Sequence, residues 1–97
     1  PQDAALLRCL GRLCLRDQLW GKARGYLQES QRLRPHPVTA LALAQLAEAT
    51  GQGEEAQQHY RAAALGLAEL LQSREQLAQG RAVRGAAREA AASEPLA

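Results

Sequence analysis

Residues 4–16 read AALLRCLGRLCLR, and residues 37–49 read PVTALALAQLAEA. The two stretches lie at an offset of 33 residues (37 minus 4), and the same offset extends into the segments that follow them. Residues of similar size then coincide at five positions: Leu10 with Leu43, Gly11 with Ala44, Ala23 with Ala56, Leu27 with Tyr60 and Ser30 with Ala63. An internal repeat of this period predicts two similar supersecondary units that stack on one another.

The composition of the 97-residue chain favours helices over strands. The chain has no Ile and only four β-branched residues, which are too few to build a sheet. Ala, Leu, Gln, Glu and Arg dominate, and all of them have good helix propensity. The length suits one domain with a modest core. We therefore predict an all-α fold.

Capping and turn residues set the predicted bounds of the helices. Asp3 is a candidate N-cap for the first helix, and the prolines of residues 34–37 end the second, because proline disfavours helix in the residue before it. Glu54 and Glu55 favour the start of the fourth helix, at the positive end of its dipole. The predicted helices run from about Ala4 to Arg16, Trp20 to Leu33, Val38 to Ala49 and Glu54 to near Gly80.

These helices define the predicted organisation of the chain. We predict a helical domain over residues 1–79, made of repeat one (4–36), repeat two (37–69) and a capping extension (70–79). Residues 80–97 are rich in Ala, Arg and Glu and contain few large apolar residues. We predict that they form a flexible or frayed tail.

The spacing of small and large residues resembles the tetratricopeptide repeat. The matching positions in repeat one are Leu7, Leu10, Gly11, Cys14, Ala23, Leu27, Ser30 and Pro35, and those in repeat two are Ala40, Leu43, Ala44, Ala47, Ala56, Tyr60 and Ala63. The resemblance implies a right-handed α-solenoid of antiparallel helix hairpins, here two repeats plus a C-terminal capping helix. Small residues at facing positions let paired helices approach closely, and large ones fill the gap to the next helix.

Two features depart from the tetratricopeptide pattern. The offset is 33 residues, against about 34 in the family. Ala68 also stands where the second repeat should end in proline. The missing proline favours a last helix that continues past its usual end.

A narrower resemblance rests on residues 6–15 (LLRCLGRLCL), 19–24 (LWGKAR) and 26–28 (YLQ). This run is similar to the C-terminal repeats of the HemY-type proteins of proteobacterial haem-biosynthesis operons, and the similarity covers about residues 4–70. It implies a parent protein anchored in the bacterial inner membrane, whose soluble part assists haem or porphyrin synthesis through protein contacts. It does not imply that this chain binds haem.

Charge and aromatic content bear on the partners. The net charge of +2 is small, and the aromatic residues are limited to Trp20, Tyr26 and Tyr60. A nucleic-acid-binding chain would normally carry a strong basic excess, or a platform of aromatic rings for single strands. No apolar run approaches the length of a membrane span. We therefore predict a soluble fragment with no nucleic-acid partner and no direct membrane contact.

Cys9 and Cys14 indicate the redox compartment. Five residues apart on one helix, their side chains point roughly 140° apart, so a mutual disulfide is not expected. Two free thiols suit a reducing compartment such as the cytoplasm.

Arg8, Arg12 and Arg16 form a stripe at i, i+4 and i+8 on the first helix. Guanidinium groups bind carboxylates and phosphates through paired hydrogen bonds. The tetratricopeptide resemblance places this stripe in a concave groove, together with Leu41, Gln45 and Glu48 of the third helix. The groove would bind a protein or an acidic peptide segment. The alternative is an ordinary solvated helix face. The chain has no Asn, so the Asn and Lys clamp of chaperone-binding relatives is not expected.

Other candidate sites have structural alternatives. Trp20 could be an exposed interface anchor or could pack over its own hairpin. His36, His59 and the two cysteines show no metal-ligand spacing. No spacing of nucleophile, base and acid indicates catalysis. We predict no metal, no cofactor and no enzymatic activity.

The sequence thus predicts a protein-interaction scaffold. The alternative is a structural cap or homo-oligomerisation module of an unrelated tetratricopeptide protein, with no ligand of its own. Two repeats are fewer than the three usually needed for stability, so self-association through an open end is also possible.

Overall fold

The computed structural model describes residues 3–93, which form four α-helices and no strand. The helices are α1 (Ala4–Arg16), α2 (Trp20–Leu33), α3 (Pro37–Ala49) and α4 (Gly53–Ser93). The prediction of an all-α fold is confirmed. The predicted bounds are met within one residue at every end except the C-terminal end of α4.

The helix ends follow from side-chain caps. The Asp3 carboxylate accepts hydrogen bonds from the backbone N–H groups of Ala5 (2.9 Å) and Leu6 (3.3 Å), as an N-cap does. At α3 the Nδ1 atom of His36 accepts from the N–H of Val38 at 3.1 Å. Pro37 follows as the first helical residue, where its missing N–H costs nothing.

The first two helices form an antiparallel hairpin that depends on Gly11. A Cβ atom on Gly11 would lie 2.6 Å from Leu27 Cγ and Cδ2, so only glycine allows this approach. Near the other end of the hairpin the Ser30 hydroxyl donates to the carbonyl of Ala4 at 2.7 Å. Both Leu27 and Ser30 are fully buried. The close approach at Gly11 is present, but the residue that Gly11 meets is Leu27 and not the small residue Ala23.

The core lies between the first hairpin and α3. It is formed by the buried residues Ala23, Leu27, Ala42, Leu43 and Leu46. Cys14, Leu15 and Trp20 pack against it and are partly buried. Of the two predicted roles of Trp20, packing over its own hairpin is the one that this position favours.

α3 is buried on most of its circumference. Its seven buried residues are Thr39, Ala40, Ala42, Leu43, Ala44, Leu46 and Ala47. Ala44 and its partner position Ala56 on α4 are 0% and 3% exposed. The start of α3 lies beside Gly66 of α4, where a Cβ atom would be 3.3 Å from Pro37 Cβ. α3 and the first part of α4 therefore also run antiparallel.

α4 continues to Ser93, whereas the sequence predicts that it ends near Gly80. One interior glycine costs a helix only about 1 kcal/mol, and the residues after Gly80 are mostly Ala, Arg and Glu, which favour helix. The chain divides into two compact units, one ending at Leu67 and one beginning at Ala68. The last four residues of the predicted tail, 94–97, lie outside the described residues.

The second unit exposes large apolar side chains. Leu70, Leu71, Leu77 and Val83 are 45% to 68% exposed. In residues 3–93 no helix is both long and apolar enough to cross a bilayer.

Candidate interaction groove

The structure gathers three of the six predicted groove residues into one groove. Arg12 and Arg16 of α1 and Gln45 of α3 line it together with Cys9, Leu13 and Leu15, and its volume is about 540 Å³. The groove is open to solvent. Its walls combine two guanidinium groups and one amide with apolar side chains, which suits a peptide better than a small polar ion.

Arg8 lies in a separate recess. There it is accompanied by Arg34 and His36, and by Asp3, Ala4, Ala5 and Leu33, around a volume of about 890 Å³. Leu41 lines a third recess, and Glu48 lies beside Tyr60 of α4. The predicted arginine stripe is therefore divided between two surfaces, and the six residues do not line one continuous groove.

Arg12 has no ionic partner among residues 3–93. In the range 3–93 the ion pairs are Arg16 with Asp17, Arg24 with Glu55, Arg32 with Glu29 and His59 with Glu55. The Arg16 pair is long, at 3.9 Å, and both side chains are mostly exposed. Such a pair contributes little stability. Both guanidinium groups of the groove can therefore bind an external carboxylate.

The recess around Arg8 keeps His36 neutral. Burial lowers the pKa of His36, and the positive charges of Arg8 and Arg34 lower it further. The hydrogen bond from Val38 N–H to Nδ1 also requires that this nitrogen carry no proton. His36 thus acts as a cap in the structure. No feature of the sequence indicated this role.

The recess that Leu41 lines is apolar. Its other lining residues are Pro37, Val38, Tyr60, Ala63, Ala64 and Leu67, around about 290 Å³. Tyr60 and Ala63, predicted to pack in the core, are only half-buried. The Glu48 carboxylate raises the pKa of the Tyr60 hydroxyl, chiefly by accepting a hydrogen bond from it.

The two recesses occupy equivalent places in the two repeats. Arg8 and Arg34 of the charged recess precede Leu41 and Leu67 of the apolar recess by the repeat offset of 33 residues (41 minus 8 and 67 minus 34). In each repeat the recess lies between the start of the first helix and the end of the second. This surface is basic in repeat one and apolar in repeat two. The sequence contains this difference, but only the structure shows that it concerns a surface.

A polar cluster joins the two hairpins. Arg24 of α2 donates to Glu55 at 3.4 Å and to Gln52 at 3.3 Å. His59 lies 3.5 Å from the same Glu55 carboxylate. Arg24 and Glu55 are both about a third exposed. The cluster is best understood as a structural link.

Groups with catalytic or metal-binding chemistry are dispersed. Cys9 and Cys14 are free thiols, and only Cys9 is exposed. Across the described part of the chain no three His, Cys, Asp or Glu side chains converge.

Comparison of the chain with protein-family models, curated proteins and solved structures found no match. Its function has therefore to be inferred from its own surfaces.

Proposed function

We propose that the protein is a tetratricopeptide-type interaction module that binds an acidic peptide segment in the groove of Arg12, Arg16 and Gln45. The observation that carries the proposal is a pair of guanidinium groups, one helical turn apart on the wall of an open groove, that have no strong ionic partner in the described part of the chain. Two such groups attract carboxylates, and each arginine can bind one through two hydrogen bonds.

The spacing of the two arginines fits an extended peptide. Residues at i and i+4 of a helix are separated by about 5–6 Å. Side chains on one face of an extended strand recur every two residues, or about 6.4–6.8 Å. A segment with acidic residues at alternate positions would place one carboxylate at each arginine. The Gln45 amide is then available for the peptide backbone, and Leu13 and Leu15 for an apolar side chain.

The tetratricopeptide assignment is supported by the two antiparallel helix pairs and by the small residues between them. Gly11 and Ala23 in the first pair, and Ala44 and Ala56 in the second, are all buried. The resemblance of residues 4–70 to HemY-type proteins extends the proposal to the parent protein. The parent is then an inner-membrane protein, and its partner is a component of haem or porphyrin synthesis that presents an acidic segment.

Peptide binding tests the groove directly. A fluorescently labelled extended peptide with Glu at alternate positions is titrated with the protein, and anisotropy is measured. We expect binding that weakens with salt and that falls at least about tenfold in Arg12→Glu/Arg16→Glu. A peptide with Gln in place of Glu should bind weakly to both proteins.

Lys22→Glu is the matched control, because Lys22 is exposed and lines none of the three recesses. It reverses one charge and should change the affinity by less than about threefold. Equal affinity of the wild-type protein and the double variant would show that the groove does not recognise the peptide.

The HemY part of the proposal has its own test. The purified chain is mixed with individual purified enzymes of haem synthesis, and complex formation is followed by sedimentation. A complex that the Arg12→Glu/Arg16→Glu variant loses would support this part. Failure of every enzyme to bind, together with retained peptide binding, would remove the HemY link and leave the interaction module.

A further inference from the structure

α3 has an apolar face that is buried against the first hairpin. Ala42 and Leu46 form one cluster with Ala23 and Leu27 of α2. Thr39, one turn earlier on the same face, is fully buried. This interface is the contact by which the second repeat follows the first.

α1 has the equivalent face, and nothing in residues 3–93 covers it. Its members are Leu6, Cys9 and Leu13, which precede Thr39, Ala42 and Leu46 by 33 positions. Leu6 is 57% exposed and Leu13 is 49% exposed, whereas the three counterparts on α3 are at most 2% exposed. Cys9 is exposed as well. The first helix thus presents to solvent the side that the third helix buries.

The second hairpin has the matching acceptor surface, which is also uncovered. Leu27 is fully buried beneath α3, but its counterpart Tyr60 is only half-buried. Tyr60 lines the apolar recess together with Leu41, Ala63 and Leu67, and Leu67 is 53% exposed. Tyr60 therefore marks a surface that α3 covers in repeat one and that no helix of residues 3–93 covers in repeat two, and the recess beside it is apolar.

Charge at the rim favours a second copy of this chain as the occupant. Within the chain, Gln45 of α3 lies beside Arg12, Leu15 and Arg16. If α1 of another copy docks as α3 does, its Arg12 takes the place of Gln45. The neighbours of this Arg12 are then the residues that lie 33 positions after Arg12, Leu15 and Arg16 in the other copy. Among them, Glu48 is the counterpart of Leu15. Glu48 is exposed and belongs to no ion pair in the described range.

From these faces we infer that the protein self-associates head to tail, with α1 of one copy against the Tyr60 face of α3 and α4 in the next copy, beside the apolar recess. Leu6 and Leu13 provide the apolar contact, and Arg12 of one copy pairs with Glu48 of the other. The contact is heterologous, so each copy keeps one free end and the assembly grows with concentration unless it closes into a ring.

A charge exchange tests the register of the contact. Sedimentation velocity is recorded over a wide concentration range for the wild-type protein, Arg12→Glu and Glu48→Arg. We expect concentration-dependent association of the wild type, and weakening by at least about tenfold in each variant, where like charges face each other. An equimolar mixture of the two variants should associate again, because every contact in an alternating assembly then joins opposite charges.

The apolar part of the contact has a matched pair of variants. Leu6→Ser removes an apolar side chain that is 57% exposed, and Leu77→Ser removes one that is 58% exposed but lies in neither face. Both are exposed enough that the fold should persist, which circular dichroism verifies. Leu6→Ser should weaken association, and Leu77→Ser should not.

Three outcomes would overturn the inference. One is a wild-type protein that stays monomeric up to about 1 mM, the weak end of specific binding. Another is a mixture of charge variants that does not recover association. The third is a larger effect of Leu77→Ser than of Leu6→Ser, which would place the contact in the second unit.

The inference stands apart from the peptide-binding proposal, although Cys9, Arg12 and Leu13 belong to both surfaces. Leu6 does not line the peptide groove. Leu6→Ser should therefore lose self-association and retain binding of the acidic peptide. Arg16→Glu should have the opposite effect. Each of the two ideas can fail without the other.

Discussion

At the scale of single residues, the close approach of α1 and α2 rests on the absence of one methyl group. Gly11 and Gly25 are both interior glycines of these helices, but their surroundings differ. A Cβ on Gly11 would meet Leu27 at 2.6 Å, and a Cβ on Gly25 would meet nothing within 4 Å. Substitution by alanine should therefore change the free energy of unfolding in opposite directions at the two positions.

We expect Gly11→Ala to lower the free energy of unfolding by about 1–3 kcal/mol, since Leu27 is fully buried and has no free space to move into. Gly25→Ala should raise it by about 0.5–1 kcal/mol through helix propensity alone. Urea denaturation of both variants measures the difference. A stabilising Gly11→Ala would show that the hairpin can open at this point without cost.

His36 should make stability depend on pH. Its pKa is lowered in the folded protein by burial and by the charges of Arg8 and Arg34. The unfolded chain therefore binds a proton below about pH 6.5 that the folded protein does not. Above about pH 6.5 the neutral ring of His36 therefore contributes fully to the free energy of unfolding. This contribution is lost as the pH falls from there towards the pKa of His36 in the folded protein.

His36→Asn separates titration from capping, because an Asn side chain can accept the Val38 hydrogen bond without titrating. Urea midpoints are compared at about pH 7.5 and about pH 5. The wild type should lose more stability than the variant over this interval. Equal losses would assign the pH dependence to other groups.

At the scale of helices, the sequence predicted most starts and ends because the signals are local. Asp3 before α1 and Pro37 at the start of α3 act within a few residues of where they stand. The end of α4 was missed because Gly80 weakens a helix without stopping it, and no proline follows within the helix. A helix ends at an unfavourable residue only when the free-energy cost of that residue exceeds the helix propensity of its neighbours.

The arginine groove was predicted only in part, for a geometric reason. Each step of four residues turns a helix by about 40° beyond a full turn. Arg8 and Arg16 therefore differ by about 80° in direction, and they line different recesses. Sequence spacing placed the three arginines in one stripe, but the positions of α2 and α3 decide which of them share a surface.

The part of α4 beyond Leu67 should exchange its amide hydrogens faster than α3 does. Leu70, Leu71 and Leu77 are about half exposed, whereas α3 is buried on most of its circumference. Few buried contacts mean a low free energy of local opening. Hydrogen exchange read by mass spectrometry measures the contrast. Protection in residues 68–93 equal to that of α3 would contradict the expectation.

Gly85→Ala provides a check within the same segment. A Cβ at this position meets nothing within 4 Å, so the change acts only through helix propensity. A gain of up to about 1 kcal/mol would slow local exchange about fivefold. The predicted flexibility of residues 80–97 remains a prediction that this measurement would test.

At the scale of the whole molecule, the repeats differ in what covers them. In repeat one α3 covers Leu27 completely, while the equivalent Tyr60 of repeat two is only half-buried. The sequence predicted the same packing for both positions, because a repeat pattern does not show whether another helix covers a given unit. The partly uncovered face of repeat two is the basis for inferring self-association.

The two hairpins should unfold as one cooperative unit, because their core is shared. Leu46 of α3 packs in the same cluster as Ala23 and Leu27, and Trp20 packs against it. Trp20 is the single Trp of the chain and belongs to α2, so its fluorescence reports on the core where the first hairpin meets α3. We expect Leu46→Ala, a change in the second repeat, to lower the unfolding free energy read at Trp20 by about 2–5 kcal/mol.

Leu41→Ala is the control on the same helix, since Leu41 is 40% exposed and should cost less than about 1 kcal/mol. A Trp20 transition that Leu46→Ala leaves unmoved would mean that the first hairpin is stable by itself. In that case α3 would be an addition to an independent unit. The interface by which one repeat receives the next would then be too weak to join separate copies, so this measurement also bears on head-to-tail association.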